Sequence, residues 1–177
     1  LKYYTITGES IVITTKFPNS KINEFISCAN NIDLGFNLMN HGFPYPYTEE
    51  DAMNFIDKNR EDGDKAFAFD FYILYENCIV GVIGLSDIDY ENSRAHIGYW
   101  LGKKYQGKGI GTEALKLIIP FSRKTLKLHS LHTSVLTDNI ASIIVLTRNG
   151  FSIDGIAKDC FMWKNKFYSA FLFSRLL

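Results

Sequence analysis

The chain is short of several things, and each shortage removes a class of answer. Cysteine is scarce: Cys28, Cys78 and Cys160 are the only three in 177 residues, odd in number and without a CxxC. That pattern fits free thiols rather than a disulfide framework or a zinc site, and it points to a reducing compartment, the cytoplasm by default. Charge of either sign is not in excess, since Lys plus Arg and Asp plus Glu are nineteen each. No global field therefore draws the protein towards nucleic acid or an anionic membrane, and any phosphate chemistry has to be local. No apolar run approaches the roughly 18 residues of a membrane span, and no basic-then-apolar leader opens the sequence. Repeats, linkers and low-complexity tracts are missing as well.

What remains is the composition of a folded enzyme-sized unit. With 46% hydrophobic and 15% aromatic residues, the 177 residues suit a single domain, 1–177, with a real core. The opening "YYTITGESIVITTKF" carries branched and aromatic strand formers broken by Gly8-Glu9, and Pro18-Asn19-Ser20 leads into a helix. In "HGFPYPYTEEDAMNFIDKN" two prolines precede Thr48, an expected N-cap with Glu49, Glu50 and Asp51 in the first turn of a helix reaching about Arg60. Three strand signals follow between Lys65 and Leu101, separated by Glu76-Asn77 and by Tyr90 to Ser93, and they predict an antiparallel meander. Ile110 to Leu128 has an apolar helical face with Pro120 inside it, which predicts a bend. "SLHTSVL" is the next strand. "NIASIIVLTRNGF" is a short helix capped by Asn139 and closed by Asn149-Gly150, and two aromatic strands turning near Lys164-Asn165 end the chain.

The segment "LGKKYQGKGIGTEAL" sets Gly107, Gly109 and Gly111 directly before the long helix. It is nearly a P-loop, but Gly109 stands where a Ser or Thr should hold magnesium, and the third glycine comes one residue early for a dinucleotide fingerprint. A strand-to-helix junction of this kind gathers unpaired N–H groups and the positive end of the helix dipole, so an anion belongs there. The glycines let backbone approach a diphosphate, with Lys108 adding a charge and Thr112 a hydroxyl. A plain connecting turn is the competing explanation.

Gln106 through Gly111 resemble the Q/R-x-x-G-x-G/A acetyl-CoA loop of the GNAT superfamily of N-acetyltransferases. Asp138-Asn139-Ile140-Ala141-Ser142 resembles that superfamily's N-x-x-S element, about one helix and one strand later. With "FPYPYTEEDA" and "AHIGYWL", the chain from about His41 to Leu177 is similar to the RimJ/RimL-like branch, which acetylates ribosomal-protein alanine and serine. The resemblance implies an α/β (α+β) fold: a mixed, mostly antiparallel central sheet flanked by helices and splayed to hold acetyl-CoA. No metal is implied.

The resemblance also implies roles. Tyr99 and Leu101 would pair their backbone with the pantetheine, and Gln106, Gly107, Lys108, Gly109, Ile110, Gly111, Thr112, Asn139 and Ser142 would hold the rest of the cofactor. The acceptor amine has to attack the thioester neutral, with an N–H donor near Leu101 facing the oxyanion. Ser142 would then donate to the departing sulfur, a task many relatives give to a Tyr further along the chain. Strand alternation puts His96 on one face with Gly98 and Trp100, and an imidazole near neutrality suits a general base. Asp159, His41 and water are its rivals. Phe161 occupies a position where some relatives carry a catalytic Glu, Asp154 replaces a common Glu, and Ser169 stands where Asp is frequent.

The acceptor side is read from His41, Phe43, Tyr45 and Tyr47, an aromatic loop able to wall a substrate site or simply to cover core. Asp87, Asp89 and Glu91 would attract an amine or form a solvated turn. The expected acceptor is a protein N-terminal α-amine or a small-molecule amine such as a polyamine, with no nucleic acid or membrane partner and a monomer or homodimer as the working state. A non-catalytic acetyl-CoA-binding module of the same fold is the alternative.

Overall fold

The computed structural model describes residues 2–58 and 67–177. The chain order is β1 (Thr5–Thr7), β2 (Ile11–Thr14), α1 (Ile22–Ala29), α2 (Leu34–Asn37), α3 (Glu49–Lys58), β3 (Phe69–Tyr75), β4 (Cys78–Asp89), β5 (Arg94–Leu101), α4 (Ile110–Lys124), β6 (Ser130–Leu136), α5 (Ile140–Arg148), β7 (Ser152–Trp163) and β8 (Lys166–Leu176). Short 3-10 turns occupy Asn19–Lys21 and Lys103–Tyr105. The expected end of α3 at Arg60 and the start of the first of the three strand signals, at Lys65 and Ala66, lie outside the described residues.

Eight strands form one sheet in the order β1-β2-β3-β4-β5-β6-β8-β7. Every neighbouring pair is antiparallel except β5 and β6, which run parallel and pair only at Arg94, Ala95 and His96 with Ser130, Leu131 and His132. A parallel pair needs a crossover, and α4 supplies it. The sheet is covered on both faces, which is why Ile79 to Leu85 of β4 is a continuous apolar run rather than an alternating one. On one face α4 contributes Ile110, Ala114, Leu115 and Ile118, packed with Ile83, Leu85, Ile97 and Leu131. On the other, Phe25 and Ala29 of α1 and Ala52 and Ile56 of α3 meet Tyr72, Ile79 and Val82.

Local chemistry starts and stops these elements. Thr48 caps α3 with a reciprocal box: its hydroxyl accepts from the Asp51 N–H at 3.2 Å, while Asp51 Oδ2 accepts from the Thr48 N–H at 2.8 Å. Glu76-Asn77 and Lys164-Asn165 all have positive φ, from 47° to 60°, the geometry of tight two-residue hairpin turns. Helix α4 runs through Pro120 to Lys124 and stops four residues before the expected Leu128. Leu126 and Leu128 keep the apolar spacing, but Lys127 turns to φ 58° and the His129 N–H donates to the Ser93 carbonyl at 2.6 Å, which aims the chain into β6. Pro120 is exposed, so the N–H it lacks leaves a carbonyl that solvent can reach.

Candidate active site

Beyond His96 the strands β5 and β6 diverge, and Ile97 to Leu101 have no strand on the β6 side. The open wedge holds a cavity of about 340 Å³. Tyr99, Trp100 and Leu101 of β5 form one wall, and Gln106, Gly107 and Gly109 to Thr112 form the floor. Asn139, Ala141, Ser142, Ile144, Val145 and Arg148 face them from α5, while Leu34, Asn37 and Leu38 close the side at α2.

The glycine loop is shaped by backbone that other residues rarely adopt. Gly107 and Gly109 have φ of 74° and 81°, and a Cβ added at either would meet nothing within 4 Å. The space beside them is open because no side chain fills it, and Gly109 is the N-cap residue of α4. The N–H groups of the first helical turn have no intrahelical acceptor and therefore face an outside anion or water. Gly111 is different: its missing Cβ would touch Leu101 Cδ1 at 3.6 Å and Val145 Cγ2 at 3.7 Å, so it brings α4, α5 and β5 close together. Gln106 Nε2 donates to the Leu101 carbonyl at 3.1 Å and ties the loop to the end of β5. Lys108 does not line the cavity; its ammonium lies 5.6 Å from the Tyr105 ring centre.

Ser142 lies in the opposite wall. Asn139 Oδ1 accepts from the Ser142 N–H at 3.2 Å, an N-cap that fixes the first turn of α5. The Tyr99 hydroxyl donates to the Ser142 carbonyl at 3.3 Å, a bridge from β5 to α5 across the wedge. Burial pushes the Tyr99 phenol up to about 12, against a smaller lowering by the Ser142 side chain, so it stays protonated. The α5 position one turn beyond Ser142 is Leu146, fully buried, so the helix offers no tyrosine to the cavity.

His96 stands at the apex of the wedge, on the last paired residue of β5, and does not line the cavity. Its Nδ1 is 3.3 Å from Ser86 Oγ and its Nε2 3.4 Å from Thr133 Oγ1, with the His132 ring centre 5.7 Å away. Burial, and then His132, lower its pKa, with Asp87 opposing, so the neutral imidazole prevails near pH 7. His132 is lowered as well, by burial first and Arg94 second.

The remaining expected positions scatter. Tyr47 is a core residue, 6% exposed, its ring 6.0 Å from Phe25, because the loop folds it under α1 and α3 rather than towards the cavity. Tyr45 is 55% exposed and lines no part of the cavity. His41 stacks on Trp163 at 5.4 Å and sits 4.9 Å from Phe161, and Phe36 of α2 joins the same cluster. Phe161 is buried in that cluster, which braces α2 against the β7–β8 hairpin. Asp159 is exposed outside the cavity, its N–H donating to Ser169 Oγ at 3.0 Å. Asp89 is spent on the turn, accepting from the Asn92 N–H at 2.9 Å with Arg94 Nε at 3.4 Å.

The loop reading did not reach Leu34, Asn37, Leu38, Trp100 or Arg148. Only Arg148 had a legible signal, as a cation at the last position of the helix that Asn139 caps. Among the described residues no group of His, Cys, Asp or Glu is arranged to hold a metal ion, and no helix is long and apolar enough to cross a membrane.

Comparison with known proteins gives this geometry relatives. Residues 32–152 match the family model described as Acetyltransferase (GNAT) domain. The chain is 30% identical over 130 residues to the ribosomal-protein-serine acetyltransferase of Escherichia coli, covering 73% of each. It is 32% identical over 116 residues to the ribosomal protein uS5-alanine N-acetyltransferase of the same organism, covering 65% of this chain and 59% of that protein. Among solved structures, RimL, a ribosomal α-N-protein acetyltransferase in complex with coenzyme A, superposes with a TM-score of 0.86 at 19% identity over 98% of both chains.

Proposed function

The chain belongs to the acetyltransferase (GNAT) family, and we propose that it moves the acetyl group of acetyl-CoA onto the α-amine of a protein N-terminus. The observation that carries the reading is the wedge itself: a strand edge without a partner, ending at a glycine-rich helix N-terminus, with Ser142 on the facing wall. The residues fit the cofactor. Space stands open beside Gly107 and Gly109 where a Cβ would intrude, and the first-turn N–H groups of α4 suit a diphosphate. Acetyl-CoA supplies an activated acyl group as a thioester.

This chain's residues then have separable tasks. Backbone groups of Tyr99 and Leu101, on the unpaired side of β5, hold an extended arm as a missing strand would. An N–H near Leu101 faces the carbonyl oxygen as it gains charge. The amine nitrogen forms its bond to the acyl carbon, the carbon–sulfur bond breaks, and the Ser142 hydroxyl donates a hydrogen bond to the departing thiolate. His96 accepts the proton that the amine loses, through water, because it sits at the apex and not on the cavity wall.

A protein terminus is chosen over a polyamine as the acceptor. The ribosomal-protein acetyltransferases among the relatives support the same choice. One observation favours the non-catalytic alternative, namely that Phe161 is buried where some relatives place a base. Thiol release from acetyl-CoA, measured with peptides beginning in Ser or Ala, with spermidine and with an aminoglycoside, separates these. Turnover with the peptides is expected. Coenzyme A binding without thiol release on any acceptor would leave the binding module standing, and turnover confined to spermidine would refute the choice of acceptor.

A further inference from the structure

One charged side chain lines the cavity among the described residues, and the diphosphate cradle leaves it without a task. Arg148 closes α5, six residues and therefore about 9 Å along the helix axis from Ser142, and both line the cavity. Its position is anchored. Asn149 Nδ2 donates to the Thr112 carbonyl at 3.2 Å, which docks the end of α5 beside the first turn of α4, and the Arg175 guanidinium donates to the Asn149 carbonyl. Arg148 has no ion pair among the described residues. The neighbouring cations are engaged elsewhere: Lys104 and Lys108 lie against Tyr105, and Lys103 is 3.9 Å from Asp33.

The wedge thus has two ends. Ser142 marks one, where a thioester reacts in the function proposed above, and Arg148 marks the other, past the loop that takes the diphosphate. Coenzyme A carries there a further phosphate, on the 3′ oxygen of its ribose. A guanidinium is a rigid fork of donors matched to phosphate oxygens, and it keeps its charge at any working pH. We propose that Arg148 is a specificity-determining residue that binds the 3′-phosphate and distinguishes coenzyme A from its 3′-dephospho form. This rests on the acetyl-CoA reading of the site.

Titration calorimetry with coenzyme A and with 3′-dephospho-coenzyme A tests it on the wild type, Arg148→Gln and Lys108→Gln. The wild type is expected to prefer coenzyme A by about tenfold, the scale of one charge-assisted hydrogen bond at a solvent-accessible site. Arg148→Gln loses that preference by weakening coenzyme A alone, whereas Lys108→Gln retains it. A preference that survives in Arg148→Gln overturns the proposal, as does a wild type with none. Equal weakening of both ligands in Arg148→Gln, with a lowered Tm, assigns Arg148 to the carbonyl end of its helix and overturns it too. If the wild type binds neither ligand, the acetyl-CoA reading itself fails.

Discussion

Replacing Gly109 by valine separates backbone strain from lost anion binding, because the structure assigns the two effects different sizes. Gly109 sits at φ 81°, where an L side chain costs about 1–2 kcal/mol and a β-branched one is a marked outlier. No protein atom lies within 4 Å of the added Cβ, so no clash adds to that cost. At about 2–4 °C per kcal/mol for a chain of this size, the Tm falls by about 2–8 °C. The ligand effect is larger. The new side chain stands in the space beside the first-turn N–H groups, and losing two hydrogen bonds to charged oxygens at about 1.5 kcal/mol each raises the coenzyme A Kd by about two orders of magnitude. Gly111→Ala is the matched contrast: it is helical, its Cβ makes ordinary contact with Leu101 and Val145, and affinity stays within about threefold of wild type. Thermal unfolding and titration calorimetry on the three proteins give both numbers. Wild-type coenzyme A affinity in Gly109→Val would refute the placement of the diphosphate at this loop.

Ser142→Ala is expected to lower kcat by about a hundredfold with the coenzyme A Kd unchanged, since its partner gains charge only as the thioester breaks; single-turnover rates equal to wild type would reduce Ser142 to a helix residue. The lowered pKa of His96 puts its neutral form above a midpoint more acidic than the usual histidine value, so kcat/KM should rise through such a group. His96→Gln should erase that rise and lose activity most at low pH, and an unaltered profile would pass the role to water. Glu113 offers a stability test. Burial raises its pKa, but hydrogen bonds from the Ser10 side chain and from the Ser10 and Ile11 N–H groups outweigh that and leave it lowered. Its contribution is thus present above the ordinary glutamate range and lost as pH falls through the lowered value. The urea midpoint gap between wild type and Glu113→Gln should shrink on acidification, and a gap constant from pH 7 to pH 3 would contradict this.

Much of the scaffold was legible because local signals agreed with the tertiary outcome. "SLHTSVL" is β6 to the residue, and the caps at Thr48 and Asn139 form the bonds their side chains suggest. The paired positive-φ turns at Glu76-Asn77 and Lys164-Asn165 fall where the sequence breaks. Elements that depend on distant partners were hidden. Helix α2 has four residues, too few for a periodic pattern, and is held by Phe36 against Trp163 and Tyr168 from the far end of the chain. Tyr47 looked like a neighbour of Tyr45, yet only the packing of α1 and α3 separates a buried ring from an exposed one. The reach of His96 was equally unreadable, since alternation gives a face but not how soon β5 and β6 part.

That parting has a mechanical meaning. Strands β1 to β5 form one panel and β6 to β8 another, and in the sheet itself three residue pairs are the whole seam between them. Whatever lodges in the wedge lies along the open edge of β5 and against α5, the helix that follows β6. Amide hydrogens of Tyr99 and Leu101 on the open edge of β5 should therefore gain protection when the cavity fills, while the outer strands β1 and β7 exchange as before.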